Sequence, residues 1–235
     1  MQIVLSKGTI CIIRRCQMDD RRRSTPLPAS LARLPLGTLR PRDAEVAYSH
    51  PRAQLARLVE RGLLRRVADG YYVIVPQEMV GRRWLPSVEA TAAGIASAIY
   101  GVDNAVLMGI SAARIHGAIP RALATAVVAV PKQHRPIALT DRSAVVRFVK
   151  RDIDRLDAER VQTPLGSALA TSPEQTILDL AHRPSLGDAE VEVPSAIADL
   201  YGRSDEKRIA ELAADQRLMA SLRRAEVWAG AKRGR

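Results

Sequence analysis

Arg52, Gln54, Arg57 and Arg61 fall within one short stretch of the chain, and Arg65 and Arg66 follow closely. These side chains share one chemistry, the recognition of polyanions. A guanidinium fork matches phosphate oxygens and the O6/N7 edge of guanine, and a glutamine carboxamide matches adenine. Their spacing assigns Arg52, Gln54 and Arg57 to base edges, and Arg61, Arg65 and Arg66 to backbone phosphates. Arg40 and Arg42 lie just upstream, and Ser49 and Tyr71 bracket the region with hydroxyls, which completes the candidate set. Glu60 is the only acidic residue between positions 46 and 68, so the face is nearly single-signed.

No other constellation carries comparable chemistry. His50, His116, His134 and His182 are scattered, without the spacing of a metalloprotease helix. Cys11 and Cys16 lack the second pair a structural zinc needs, so no metal, cofactor or catalytic residue is assigned. Gly62 and Gly70 read as helix-stop and turn glycines rather than a phosphate loop. Ser167 follows a glycine as in a nucleotidyltransferase opening, but the carboxylate pair expected shortly afterwards is absent. Asp205-Glu206-Lys207 reads as an acidic helix start. Asp152, Asp154 and Asp157 would motivate a DNA-targeted nuclease. Interleaved with Arg151 and Arg155, they read instead as a solvated, mixed-charge helix start. His116 reads as a partly buried histidine with a satisfied ring.

Composition narrows the classes further. The chain has 235 residues and a formal charge of +11, and 31 of its 36 basic residues are Arg. Residues 1–80 hold 14 basic and 7 acidic side chains, so about a third of the chain carries most of the excess. A hydrophobic content of 47% excludes a wholly disordered chain, and no apolar run is long enough to cross a membrane. Aromatic residues make up only 3%, against base stacking as the binding mode. In residues 1–25 positive charge follows the apolar stretch, the reverse of a secretory signal, so they read as a basic, disordered tail of a cytoplasmic protein. Met18 offers a second plausible start.

The elements that must position the basic residues follow from periodicity and punctuation. Short helices are expected over 29–34, 43–48 and 51–61, the last with Leu55, Leu58 and Val59 on one stripe and Gly62 as its cap. A hairpin over 64–75 turns at Asp69-Gly70. Three helices and a hairpin are the parts of a winged helix-turn-helix, with the third helix in the major groove. The expected division is therefore a tail (1–25), a winged-helix domain (26–80) and an α+β domain (81–235). In the last, helices are expected over 88–100 and 111–117, strands over 124–130 and 144–149, and helices over 173–182, 193–201, 205–214 and 216–229.

The stretch Arg-Leu-Val-Glu-Arg-Gly-Leu-Leu-Arg-Arg-Val-Ala-Asp-Gly-Tyr-Tyr-Val (57–73) resembles the winged-helix segment of AbiEi-type antitoxins. Ser-Ala-Ala-Arg-Ile-His-Gly (111–117) and Thr-Ser-Pro-Glu-Gln-Thr-Ile-Leu-Asp-Leu-Ala (171–181) fit the same family, whose pattern carries Arg where this chain has Gln175. The resemblance covers about Leu27 to Tyr201. It implies a bacterial antitoxin of a type IV abortive-infection system. Such a protein represses its own operon through inverted repeats in double-stranded operator DNA. It also counteracts a nucleotidyltransferase-like toxin encoded beside it, often without a stable complex. The readings that compete with it are the DNA-targeted nuclease and a transcriptional regulator whose C-terminal domain binds a small ligand.

Overall fold

The computed structural model describes residues 27–233; the expected tail, with Cys11 and Cys16, lies outside the described residues. The described chain is α+β and contains two sheets. In the first, β1 (Thr38–Leu39), β2 (Leu64–Ala68) and β3 (Tyr71–Ile74) run in the order β1-β3-β2 with antiparallel pairings. Helix α1 (Ala29–Ala32) precedes β1, and α2 (Pro51–Glu60) leads into β2.

Helix α2 starts with Pro51, whose fixed φ suits a first turn and whose missing N–H is no loss there. Leu55 and Leu58 bury its apolar stripe, roughly 1.5–3 kcal/mol apiece for side chains of this size. The helix stops at Gly62, which sits at φ 71°, while the Leu63 N–H reaches back to the Leu58 carbonyl at 3.0 Å. Gly70, at φ 75°, closes the two-residue turn between β2 and β3. The helix expected over 43–48 is instead a 3-10 turn over Pro41–Ala44, prolonged by N–H bonds from Ala47 and Tyr48 to the Ala44 carbonyl. Asp43 sets the earlier start by accepting the Arg40 backbone N–H at 2.8 Å. His50 precedes a proline and leaves the helical region, at φ −125° and ψ 73°, which ends the turn.

The second sheet comprises β4 (Val106–Leu107), β5 (Thr125–Val130), β6 (Ile137–Ala138), β7 (Val145–Lys150), β8 (Ala158–Thr163) and β9 (Gly166–Thr171). Their order is β6-β7-β5-β4-β9-β8, with β5–β7 and β4–β9 parallel. Every residue of β5 is buried. Val127 and Ala129 face a bundle made by α5 (Pro173–His182), α6 (Val193–Tyr201), α7 (Glu206–Asp215) and α8 (Met219–Arg233). Ala126, Val128 and Val130 face α3 (Val88–Tyr100), while α4 (Ile110–Ile115) follows β4. The caps do what their sequences predict: Ser87 Oγ accepts the Ala90 N–H and Ser172 Oγ accepts the Gln175 N–H, each at 3.1 Å. The β8–β9 hairpin has no signature in the sequence, because β8 (Ala-Glu-Arg-Val-Gln-Thr) is a largely exposed edge strand with no apolar alternation.

The two sheets share packing. Leu36, Val67, Ala68 and Val73 belong to the same apolar cluster as the α3-facing residues of β5. The Thr140 N–H bonds the Val67 carbonyl at 2.9 Å, and Ala68 bridges to Leu139. Gly94 permits the closest approach, since a Cβ there would lie 2.1 Å from Thr38 Oγ1.

Candidate nucleic-acid interface

The Pro41–Ala44 turn, the start of α2 and the β2–β3 hairpin enclose an open groove of about 1150 Å³. Arg40, Arg42, Ser49, Arg52, Arg66 and Tyr71 all line it, so six of the ten candidate residues converge there. Arg57 and Arg61 are exposed further along α2, and Gln54 is half-buried beside them. The side chains of Arg52, Arg57 and Arg61 make no hydrogen bond or ion pair among the described residues, although the Arg61 charge acts on the Tyr48 phenol. Tyr71 lies in the field of its neighbours: burial pushes its phenol up, while Arg40 and Arg42 pull it down and leave a net rise.

Three of the arginines are already engaged. Arg40 is held by Asp43, with Nε 3.0 Å and Nη2 3.1 Å from the carboxylate, and only 16% of its side chain is exposed. Arg66 pairs with the exposed Asp69 at 2.5 Å, a contact that solvent screens and a phosphate can replace. Arg65 turns away from the groove. Its Nε donates to Asp141 at 3.2 Å and its Nη1 to the Trp84 carbonyl at 3.0 Å, which ties β2 to the larger domain. Asp141 is almost inaccessible; burial raises its carboxyl, but Arg142 and Arg65 more than compensate and hold it below its ordinary value.

A second polar centre escaped sequence reasoning. Asp179 is buried on α5 and receives Arg151 Nη1 at 3.1 Å and Gln175 Nε2 at 3.2 Å. Gln216 accepts from both Arg151 and Gln175 and donates back to Gln175. Burial outweighs Arg151 here and pushes the Asp179 carboxyl up. Gln175 and Asp179 share α5, but Arg151 follows β7 and Gln216 follows α7, so no local spacing announces the cluster. A cavity of about 440 Å³ adjoins the cluster, and Arg183 and Arg217 on its rim cap α5 and follow α7, where cations complement the helix dipoles. Asp157, one of the three carboxylates that would motivate a nuclease, accepts from Ser172 and Arg208, each at 2.5 Å. Among the described residues, no group of three His, Cys, Asp or Glu is placed to hold a metal ion.

The segments 111–117 and 171–181 meet in space. His116 Nε2–H donates to the Thr171 carbonyl at 2.7 Å, and its Nδ1 lies 3.8 Å from the Glu159 carboxylate. Ser111 Oγ accepts the Val127 N–H at 2.8 Å, and the Thr171 and Thr176 hydroxyls bond each other at 2.8 Å. These residues hold α4, β9 and α5 together.

This frame is what the comparisons match. A family model described as the AbiEi antitoxin C-terminal domain matches residues 104–227, more than half of the chain. The fold and the match define an antitoxin-type α+β domain preceded by a cationic helix–hairpin unit. The chain belongs to the AbiEi antitoxin family, and an antitoxin role follows from that membership. Among solved structures, the RV2827C protein from Mycobacterium tuberculosis is similar in fold, with a TM-score of 0.51 and 16% sequence identity. That likeness covers 82% of this chain and 75% of the other. No curated protein matches the chain. No helix among the described residues is long and apolar enough to cross a membrane.

Proposed function

We propose that this antitoxin is also the repressor of its own operon, with residues 26–80 acting as a winged helix on double-stranded operator DNA. Helix α2 enters the major groove, where Arg52, Gln54 and Arg57 read base edges. Arg42, Ser49, Arg61, Arg66 and Tyr71 hold the flanking phosphates. Arg40 and Arg65 act mainly by fixing the turn and the hairpin, given their bonds to Asp43 and Asp141. The observation that carries this reading is the convergence of six candidate residues on one groove beside an α2 face whose arginines have no protein partner among the described residues. Winged helices dock in this manner, and phosphate contacts that release counterions supply most of the affinity. The helix–strand–turn–helix–hairpin order with a β1-β3-β2 sheet supports the same reading.

The toxin counteracted is, in this reading, a nucleotidyltransferase-like protein encoded beside the antitoxin. A reporter driven by the DNA upstream of the gene tests the repressor role. The wild-type chain should silence it, and the Arg52→Ala/Arg57→Ala double variant should not. Undiminished expression in the presence of the wild-type chain would refute autorepression. Growth arrest by the neighbouring gene, relieved by co-expression of this chain, tests the toxin assignment; arrest without relief would refute it.

A further inference from the structure

The loop between β5 and β6, residues 131–136, reads Pro-Lys-Gln-His-Arg-Pro and contains no acidic residue. It belongs to the antitoxin domain, and two indirect links run from it to the hairpin, through Tyr100 to Tyr71 and through Leu139 to Ala68. The Tyr100 hydroxyl donates to the Lys132 carbonyl at 2.9 Å, and Tyr100 and Tyr71 pack on the same apolar cluster. Tyr71 in turn lines the cationic groove. At the far end of β6, Ala68 of the hairpin bridges to Leu139, one residue before its own turn at Asp69-Gly70. The loop is also held in shape from within. Gln133 Nε2 donates to the Phe148 carbonyl at 2.9 Å, Gln133 Oε1 accepts the Lys150 N–H at 3.3 Å, and the His134 ring lies 4.8 Å from that of Phe148.

Lys132 and Arg135 are exposed, and neither side chain has a hydrogen bond or ion pair among the described residues. Asp141, which follows β6, is already paired with Arg65 and Arg142, while Asp152 and Asp154 share a cleft with Pro131 at the loop's other end. A shaped loop that presents two unpaired cations, linked through Tyr100 and Tyr71 to a cationic groove, fits an extended polyanion that continues past the groove.

We propose that the 131–136 loop is a second DNA-backbone contact, in which Lys132 and Arg135 bind phosphates that flank the segment read by α2. The inference rests on the DNA-binding reading of the groove and extends it into the antitoxin domain. Operator binding then spans both parts of the chain, and the shared packing around Val67, Ala68 and Leu139 fixes their relative register.

The test uses the full chain and two duplexes. One spans only the protected core of the upstream DNA, and the other extends it by a helical turn on each side. Wild-type protein should bind the longer duplex more tightly. The Lys132→Glu/Arg135→Glu variant should lose about tenfold or more on the longer duplex, with a salt slope reduced by about two, and bind the core duplex as wild type does. An unchanged thermal midpoint shows that the variant folds, and the milder Lys132→Ala/Arg135→Ala pair should show the same pattern in smaller measure. Equal binding of variant and wild type to both duplexes would overturn the loop contact alone. Equal weakening on both duplexes would also overturn it, since the effect would then be general electrostatics. A wild-type chain that binds neither duplex would overturn the DNA-binding reading itself, and this inference with it.

Discussion

Among the arginines of the basic region, residue type alone does not decide role; the partner does. Arg57 is exposed on α2 without a protein partner among the described residues, and Arg65, of identical chemistry, is committed to Asp141 and the Trp84 carbonyl. Arg57→Ala should therefore weaken binding to the specific site by about 1–3 kcal/mol, read by titration against a scrambled duplex, with no change in thermal midpoint. A uniform loss on both duplexes would make Arg57 a phosphate contact instead. Asp141 gives a prediction in pH. Arg142 and Arg65 hold its folded-state carboxyl below the ordinary 3.8, so its stabilising contribution is present above that value and fades as pH falls through the lowered one. Asp141→Asn should destabilise the protein near neutrality and flatten the acid side of the stability curve, measured by urea unfolding between about pH 6 and about pH 2. Asp179, raised by burial, acts in the opposite sense, but it is common to both proteins and cancels in the comparison. An Asp141→Asn curve parallel to wild type would contradict the assignment.

At the level of elements, legibility followed local signals. Helix α2, the Asp69-Gly70 turn, β5 and the Ser172 cap each carry their information within a few neighbouring residues, and each formed where its pattern placed it. The groove was legible for the same reason, since most of its cations come from one helix, the turn before it and the hairpin after it. Features that depend on partners distant in the chain stayed hidden. The Arg65–Asp141 pair spans 76 residues, the Arg151–Asp179 pair 28, and β8 is a polar edge strand recognisable only from its pairing with β9. Two predictions belong here. Removing Arg66 should weaken binding to all duplexes and lower the salt slope by about one, whereas Arg65→Ala should act chiefly through stability. If Arg65→Ala alone lowered the slope by about one without altering the thermal midpoint, its structural role would be wrong. Gly94→Ala should lower the unfolding free energy by about 1–3 kcal/mol, because the new methyl meets Thr38 Oγ1 where β1 packs on α3. Calorimetry checks this, and an unchanged midpoint would show that the two parts of the chain can separate at that point without cost.

Over the whole molecule, the +11 charge is a weaker guide than its distribution. Seven of those units fall before residue 81, but part of that excess lies in residues 1–26, outside the described structure. Within the described residues, cations line the groove and the 131–136 loop, and many others are consumed in internal pairs. In the proposed reading the antitoxin domain supplies a frame for the small unit that faces DNA, joined to it through α3 and the Ala68–Leu139 bridge. The central claim is that this assembly binds its own upstream DNA with sequence preference. The most direct measurement is a binding titration of the full chain against that duplex and a scrambled duplex of the same length, repeated over a series of salt concentrations. Affinity should fall steeply with salt on both, and a preference for the upstream duplex should survive at moderate salt and disappear in Arg52→Ala/Arg57→Ala. Equal affinity for the two duplexes throughout the series would contradict it.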